Sequence, residues 1–132
     1  MYHVEKDNEQ NVLKTESSSA EYEDVINVTE KEFEGFTYDS KSAETIVIDT
    51  ENNIAYVYYT RNSYDYTIYH VEKDNTENVL KTESGSAAYE ATVPVNQQTF
   101  EGFTYDSKSA ESIVIDTENN IAYVYYTRNS YD

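Results

Sequence analysis

The sequence contains no cysteine and no tryptophan, and only one proline and three glycines among its 132 residues. The absence of cysteine excludes disulfide bonds and thiolate metal sites. Positive charge is also scarce, because nine Lys and Arg oppose 26 Asp and Glu, for a formal net charge of −17. Such a field repels polyphosphate and anionic lipid, so we expect neither nucleic acid nor a membrane surface as a partner.

What the sequence has in place of these features is a duplication. Tyr2 to Asp65 recurs as Tyr69 to Asp132 without a gap, with 51 identities and 13 differences. Eight of the differences fall between Asp24 and Glu32, which we interpret as a surface segment with little role in the core, the alternative being a specificity loop. A period of this length fits a small domain. The sequence therefore predicts two domains, residues 1–63 and 64–132, the first truncated at its N-terminal strand.

The N-terminus looks like an excision point within a longer protein, since Met1 aligns with Ile68 of the second copy. No apolar run approaches the length of a signal peptide or a membrane span. We expect export and anchoring signals, if they exist, to lie outside this segment.

Local patterns predict mainly β structure, α+β at most. Tyr66 to Lys73 is rich in β-branched and aromatic residues, and a polar turn leads to a second strand from Val79 to Glu83. This is a predicted first hairpin. Ser84 to Ala88 is small and polar and could hold a short helical turn, and Pro94 is unsuited to a central strand.

The end of each copy predicts a closing hairpin. In copy two its strands are Ser112 to Ile115 and Ile121 to Thr127. An even-numbered loop gathers the most aliphatic surface on one face. The inward residues are then Ile113, Ile115, Ala122, Val124 and Tyr126, and Tyr123 and Tyr125, with Tyr56 and Tyr58 in copy one, point outward.

Gly102 stands between Phe100 and Phe103, which predicts a sharp turn that keeps both rings in the core. The joint between the copies, Arg61 to Asp65, has neither glycine nor proline. We therefore expect a restricted joint and an elongated, monomeric rod, with Tyr64 and Tyr131 packed at such joints.

Candidate sites are few. The outward tyrosines with Asn120 could stack on sugars, although tyrosine is also an ordinary β-former. Asp74, Asn75 and Glu77, and the loop Asp116 to Asn120, offer oxygens of the kind calcium uses, without the spacing of an EF-hand. Turns of this composition need no metal.

Other chemistry is poorly supported. Lys81, Asn119 and Glu111 could form an isopeptide cross-link, as any chain this polar would allow. His3 and His70 occupy one position seen twice, which we interpret as a sheet-surface histidine. No nucleophile elbow or phosphate-binding loop is present, so we predict no enzymatic activity and no cofactor.

The segments YTIYHVEKDN, VLKTES, FEGFTYDS and IVIDTENNIAYVYYTRNSYD resemble the mucin-binding-protein (MucBP-like) and internalin B-repeat group of tandem modules in Gram-positive surface proteins. The resemblance covers nearly all of both copies. It departs at Asp74-Asn75-Thr76, where typical members have a glycine, and at Ser18, which replaces Gly85 of copy two. It implies β-grasp or ubiquitin-like domains arranged end to end on the bacterial cell surface.

Three functions follow from these expectations. The first is a stalk or spacer that projects an adhesive domain, and the second is a multivalent adhesin for host glycans such as mucin. The third is a homotypic module that pairs with like chains through exposed sheet edges.

Overall fold

The structure is a computed structural model that describes all residues from Met1 to Asp132. The chain divides into two compact units, which we call unit 1 (Met1–Asn62) and unit 2 (Ser63–Asp132). Each unit has a hydrophobic cluster of its own. The structure contains no helix, and so none that is long and apolar enough to cross a membrane.

Each unit has six strands. Those of unit 1 are β1 (Tyr2–Glu5), β2 (Asn8–Thr15), β3 (Val25–Asn27), β4 (Phe36–Lys41), β5 (Thr45–Val47) and β6 (Tyr56–Arg61). Those of unit 2 are β7 (Ser63–Glu72), β8 (Asn75–Ala88), β9 (Thr92–Pro94), β10 (Phe103–Lys108), β11 (Ser112–Val114) and β12 (Ile121–Arg128).

The main sheet of unit 2 has the order β10-β12-β7-β8, and that of unit 1 has the equivalent order β4-β6-β1-β2. The two central strands of each sheet, β7 with β12 and β1 with β6, run parallel, and the outer pairs are antiparallel. A two-stranded sheet, β9 with β11 or β3 with β5, completes each unit.

The prediction of mainly β, small tandem domains is confirmed, and so is the first hairpin, which β7 and β8 form. The prediction of a short helical turn at Ser84–Ala88 is wrong. These residues extend strand β8, because Ser63–Thr67 lies alongside and supplies backbone hydrogen-bond partners. Pro94 lies in the short strand β9 of the two-stranded sheet.

The predicted pairing of the two strands of the closing hairpin is wrong. Strand β11 pairs with β9, and β12 pairs with β7 and β10. The prediction of which side chains point inward is nevertheless confirmed, since the five predicted inward residues are buried: Ile113, Ile115, Ala122, Val124 and Tyr126. Alternation along a strand sets its two faces whatever strand lies beside it.

The aromatic turn is confirmed in both units. Gly102 has a φ of 84° and Gly35 a φ of 82°, in the region that glycine occupies most readily. Phe100 and Phe103, on either side of the turn, pack against the unit 2 cluster.

Candidate functional site

The outward tyrosines lie in a row on the main sheet of each unit. We call the set Tyr69, Tyr123 and Tyr125 the tyrosine row of unit 2. Parallel pairing places Tyr69 of β7 directly beside Tyr123 of β12, and Tyr125 follows two residues later on the same face. Tyr2, Tyr56 and Tyr58 form the equivalent row of unit 1.

The rings within each row are stacked. The centroids of Tyr69 and Tyr123 are 5.4 Å apart with an interplanar angle of 27°. Those of Tyr123 and Tyr125 are 6.2 Å apart, with an angle of only 9°. Because the rings cover one another, most of these side chains are half-buried, and Tyr123 is 37% exposed. Burial, with the charge of Glu9, raises the pKa of Tyr58.

Asn120 is not part of this surface. Only 6% of it is exposed, and its amide group donates to the carbonyl oxygens of Asp116 at 2.8 Å and Asp65 at 3.2 Å. Its Oδ1 accepts the backbone N–H of Asp116 at 2.8 Å. The structure therefore removes Asn120 from the candidate ligand residues, because its polar atoms brace the turn before β12.

His3 and His70 are fully buried, so their assignment to the sheet surface is wrong. His70 Nδ1 lies 2.8 Å from the Tyr126 hydroxyl, and Nε2 lies 2.5 Å from Glu83 Oε1. The backbone N–H of Gln98 donates to the same hydroxyl at 2.8 Å. His3, Tyr59 and Glu16 repeat this cluster in unit 1.

One proton arrangement satisfies the whole cluster of unit 2. With Glu83 ionised, His70 donates through Nε2, and Nδ1 accepts from the Tyr126 hydroxyl; this tautomer is inferred from the network. No buried side-chain nitrogen or oxygen in the chain lacks a partner. Burial raises the pKa of Tyr126 despite its bond from Gln98. The ring nitrogens of His70 and the hydroxyl of Tyr126 are thus engaged with one another and with Glu83 and Gln98, so we interpret the cluster as a structural network.

A bidentate ion pair braces the end of each sheet. Arg128 donates to both carboxylate oxygens of Glu72, at 3.1 and 2.9 Å, and its guanidinium lies 5.3 Å from the centroid of the Phe103 ring. The hydrogen bond from Arg128 lowers the pKa of Glu72 to about 2. Arg61 and Glu5 form the equivalent pair in unit 1, where the pKa of Glu5 is also lowered.

The weak metal candidates gain no support. The chain has no group of three or more His, Asp or Glu side chains placed to hold a metal ion. Asp74, Asn75 and Glu77 lie at the turn and start of β8. In the second loop the side-chain oxygens of Asp116 and Asn120 already accept backbone N–H groups of the loop itself.

The three residues proposed for an isopeptide cross-link are not brought together by hydrogen bonds or ion pairs. Glu111 pairs with Lys108 at 3.2 Å, whereas Lys81 is exposed on β8. No hydrogen bond or ion pair joins Lys81, Glu111 and Asn119.

Two features of these sites were not predicted from the sequence: the place of Tyr2 and Tyr69 in the tyrosine rows, and the buried histidine cluster. Tyr2 and Tyr69 belong to the tyrosine rows, but the parallel pairing that brings them there joins the first and last strands of a unit. The His, Glu and Tyr of the buried cluster are equally far apart in sequence. The one available signal was that all three types recur at the offset of 67 without substitution.

Comparisons with known proteins provide little further information. No protein-family profile matches the chain, and no characterised protein matches it in sequence. Among solved structures, the chain is similar to "Streptococcal High Identity Repeats in Tandem (SHIRT) domains 3-4 from cell surface protein". The TM-score is 0.36 at 11% identity, over 97% of this chain and 95% of that chain. A likeness at this level carries no argument about function, and the resemblance to the mucin-binding and internalin B-repeat group stays a prediction.

Proposed function

We propose that the chain is a spacer segment of an extracellular bacterial surface protein, a stalk that holds an adhesive domain away from the cell. The observation that carries this proposal is the repetition of the same buried hydrogen-bonded cluster in each unit. The clusters around Tyr59 and Tyr126 use the same residue types in the same hydrogen bonds.

Charge supports the same proposal. Residues 1–65 carry 15 acids against 5 bases, and residues 66–132 carry 11 against 4. Units of like charge repel one another, which favours an extended and soluble array. Only Asn62 separates the last strand of unit 1 from the first strand of unit 2.

Small-angle X-ray scattering on chains with two, four and six units tests the spacer. We expect the maximum dimension to grow by a constant increment per unit. A matched control carries a Gly-Ser linker inserted between Asn62 and Ser63, which should lower the increment by allowing bending. A compact particle whose dimension does not grow linearly with the number of units would contradict the proposal.

The tyrosine rows favour a second candidate, weak binding of host glycans such as mucin sugars. Two stacked aromatic rows at fixed places in successive units would allow many weak contacts to add up in a long array. A glycan array probed with multivalent protein tests this. We expect Tyr56→Ser with Tyr123→Ser to abolish binding, and Val114→Ala, at an exposed site outside the rows, to leave it unchanged. Absence of binding to all mucin-type sugars would reject the candidate.

A further inference from the structure

The first and last strands of each unit lie side by side and run parallel. In unit 2 these strands are β7 and β12, and six residue pairs join them. Backbone hydrogen bonds extend the ladder at both ends. The Thr67 N–H donates to the Asn120 carbonyl at 2.9 Å, and the Lys73 N–H donates to the Tyr126 carbonyl at 2.8 Å. The chain thus enters the unit on one of these strands and leaves it on the other.

This arrangement decides how tension along the chain acts on a unit. The pull reaches the N-terminal end of β7 and the C-terminal end of β12. Because the two strands are parallel, these points lie at opposite ends of the ladder. The strands are therefore forced to slide past each other lengthwise, and their hydrogen bonds are loaded together. A pull on neighbouring ends would instead open the bonds one after another, each at a small force.

Three side-chain contacts join the same two strands. They are a stacked pair of rings in the tyrosine row, a hydrogen bond of the buried cluster, and the bidentate ion pair. Each has one residue on β7 and one on β12: Tyr69 with Tyr123, His70 with Tyr126, and Glu72 with Arg128. These contacts thus lie across the ladder that tension would load.

The two polar contacts lean in the direction that tension stretches. In the ladder His70 pairs with Val124, but its hydrogen bond is to Tyr126, two residues further along β12. Glu72 pairs with Tyr126, but its ion pair is with Arg128, again two residues further. Tension moves β12 in this direction relative to β7. Both contacts therefore lengthen as soon as the strands begin to slide.

Unit 1 repeats the whole arrangement. Its first and last strands, β1 and β6, are parallel neighbours. The corresponding contacts use the same residue types: Tyr2 with Tyr56, His3 with Tyr59, and Glu5 with Arg61. His3 pairs with Val57 in the ladder, so its hydrogen bond also reaches two residues further along the last strand. The arrangement is therefore a property of the repeated unit.

We infer that the first and last strands of each unit form a force-bearing clamp, which keeps the unit folded when the chain is under tension. This clamp presupposes the proposed spacer function, because a stalk carries the load between a cell and the surface to which it adheres. Resistance to force depends on the rate of unfolding, and so on the contacts that must break first. Here those contacts are the ladder and its three side-chain pairs.

Single-molecule force spectroscopy on the 132-residue chain can compare two directions of pull on unit 2. Since the chain has no cysteine, two introduced thiols fix the points of attachment. Ser63→Cys with Ser130→Cys loads the ladder lengthwise. Ser63→Cys with Glu118→Cys attaches near the neighbouring ends of the two strands and opens the ladder from one end. All three positions are exposed. We expect a severalfold higher unfolding force in the lengthwise pull, and equal forces would overturn the clamp.

Variants under the lengthwise pull test the side-chain contacts. Tyr126→Phe removes the hydroxyl bonded to His70 and Gln98, and should raise the rate of unfolding at fixed force about tenfold. Arg128→Gln, at an exposed position, should act in the same direction in a chain that folds normally.

The matched control is Ile113→Val. It lowers stability through a small cavity on β11 and changes neither loaded strand. It should leave the rate of unfolding under force nearly unchanged. If Ile113→Val speeds unfolding as much as Tyr126→Phe and Arg128→Gln do, the clamp is refuted.

Failure of the clamp and failure of the spacer give different results. If arrays lengthen linearly in scattering but unit 2 unfolds at the same force in both directions, the clamp is overturned and the spacer stands. If arrays are compact but unit 2 resists the lengthwise pull, the clamp is supported and the spacer is contradicted.

Discussion

Units 1 and 2 share 51 of 64 aligned residues, yet identical side chains do not have identical surroundings. Asn120 is 6% exposed and bound to Asp65, whereas Asn53, in the same local sequence, is exposed. The cause is the strand Ser63–Thr67, which belongs to unit 2 and precedes the second copy of the aligned block. Burial in a small sheet is therefore a property of neighbouring strands as much as of local sequence.

In the variable stretch, by contrast, different side chains occupy equivalent places in the two units. Between Asp24 and Glu32 eight of nine residues differ from those of unit 2. The one constant residue, Val28, is 1% exposed, and its equivalent Val95 is fully buried. The polar contact to the core uses backbone, since the N–H of Lys31 donates to the Tyr59 hydroxyl as that of Gln98 does to Tyr126. Val28 and Val95 are the buried residues of the stretch, and in unit 2 Ala91 and Val93 also pack against the cluster from partly buried positions.

The largest expected effect tests whether the cores are separate. Tyr126→Ala should lower the free energy of unfolding of unit 2 by about 3–5 kcal/mol, because it leaves a cavity among buried side chains. Tyr59→Ala should do the same to unit 1. Amide hydrogen exchange resolved by unit measures each effect.

In that experiment the unmutated unit is the control. The milder Tyr126→Phe, which removes only the hydroxyl bonded to His70 and Gln98, should cost about 1–3 kcal/mol. Equal loss of protection in both units after one substitution would show that they share a core.

A smaller effect is expected at Gly85 of unit 2 and at its equivalent in unit 1, Ser18. Gly85→Ser should destabilise unit 2 by about 1–3 kcal/mol, because the new Cβ crowds the Tyr66 ring. Ser18→Gly should change unit 1 by no more than about 1 kcal/mol, the usual cost of glycine in a chain segment. Urea denaturation followed by NMR measures both. In a Tyr66→Ala background the Gly85→Ser cost should disappear, and its persistence would rule out the ring as the cause.

Asparagine substitutions compare one residue in two settings. Asn120→Ala should lower the stability of unit 2 by about 1–2 kcal/mol, because buried carbonyls lose a donor. Asn53→Ala should cost less than about 1 kcal/mol, since water reaches the exposed groups of unit 1. Matched thermal unfolding of the two variants measures the difference. Equal costs would mean that the neighbouring strand does not decide the role of this asparagine.

The smallest effect is a pH dependence. The pKa of Glu72 is about 2 in the folded chain against an ordinary value of 4.5. Its ion pair with Arg128 therefore stabilises unit 2 above pH 4.5, and this contribution is lost as the pH falls towards 2. Arg128→Gln should flatten the acid limb of the stability curve of unit 2.

The salt sensitivity of this ion pair can be compared with that of its equivalent in unit 1. The Arg128 side chain is 64% exposed and that of Arg61 is 25% exposed. Added salt should weaken the pair in unit 2 more than the pair of Arg61 with Glu5. Acid titrations of each unit at low and high salt check this, and an equal salt response would show that exposure of the arginine is irrelevant.

Much of the fold could be read from particular residues. The alternation from Ile121 to Thr127 identified the buried side of β12, and Gly102 between two phenylalanines identified a turn. The sites were less readable. One hydrogen bond of Asn120 goes to a carbonyl 55 positions away, and His70 bonds to a hydroxyl 56 positions away. No local pattern records such contacts.

The amino-acid order alone established the duplication, the β class and the inward side of the last strand, because repeats and period-two alternation are properties of neighbouring residues. It could not establish that β11 joins β9, that β7 and β12 lie parallel, or that His70 is buried. Those features depend on backbone hydrogen bonds and side-chain packing between segments far apart in the chain. Such contacts form only when the whole unit closes around its core.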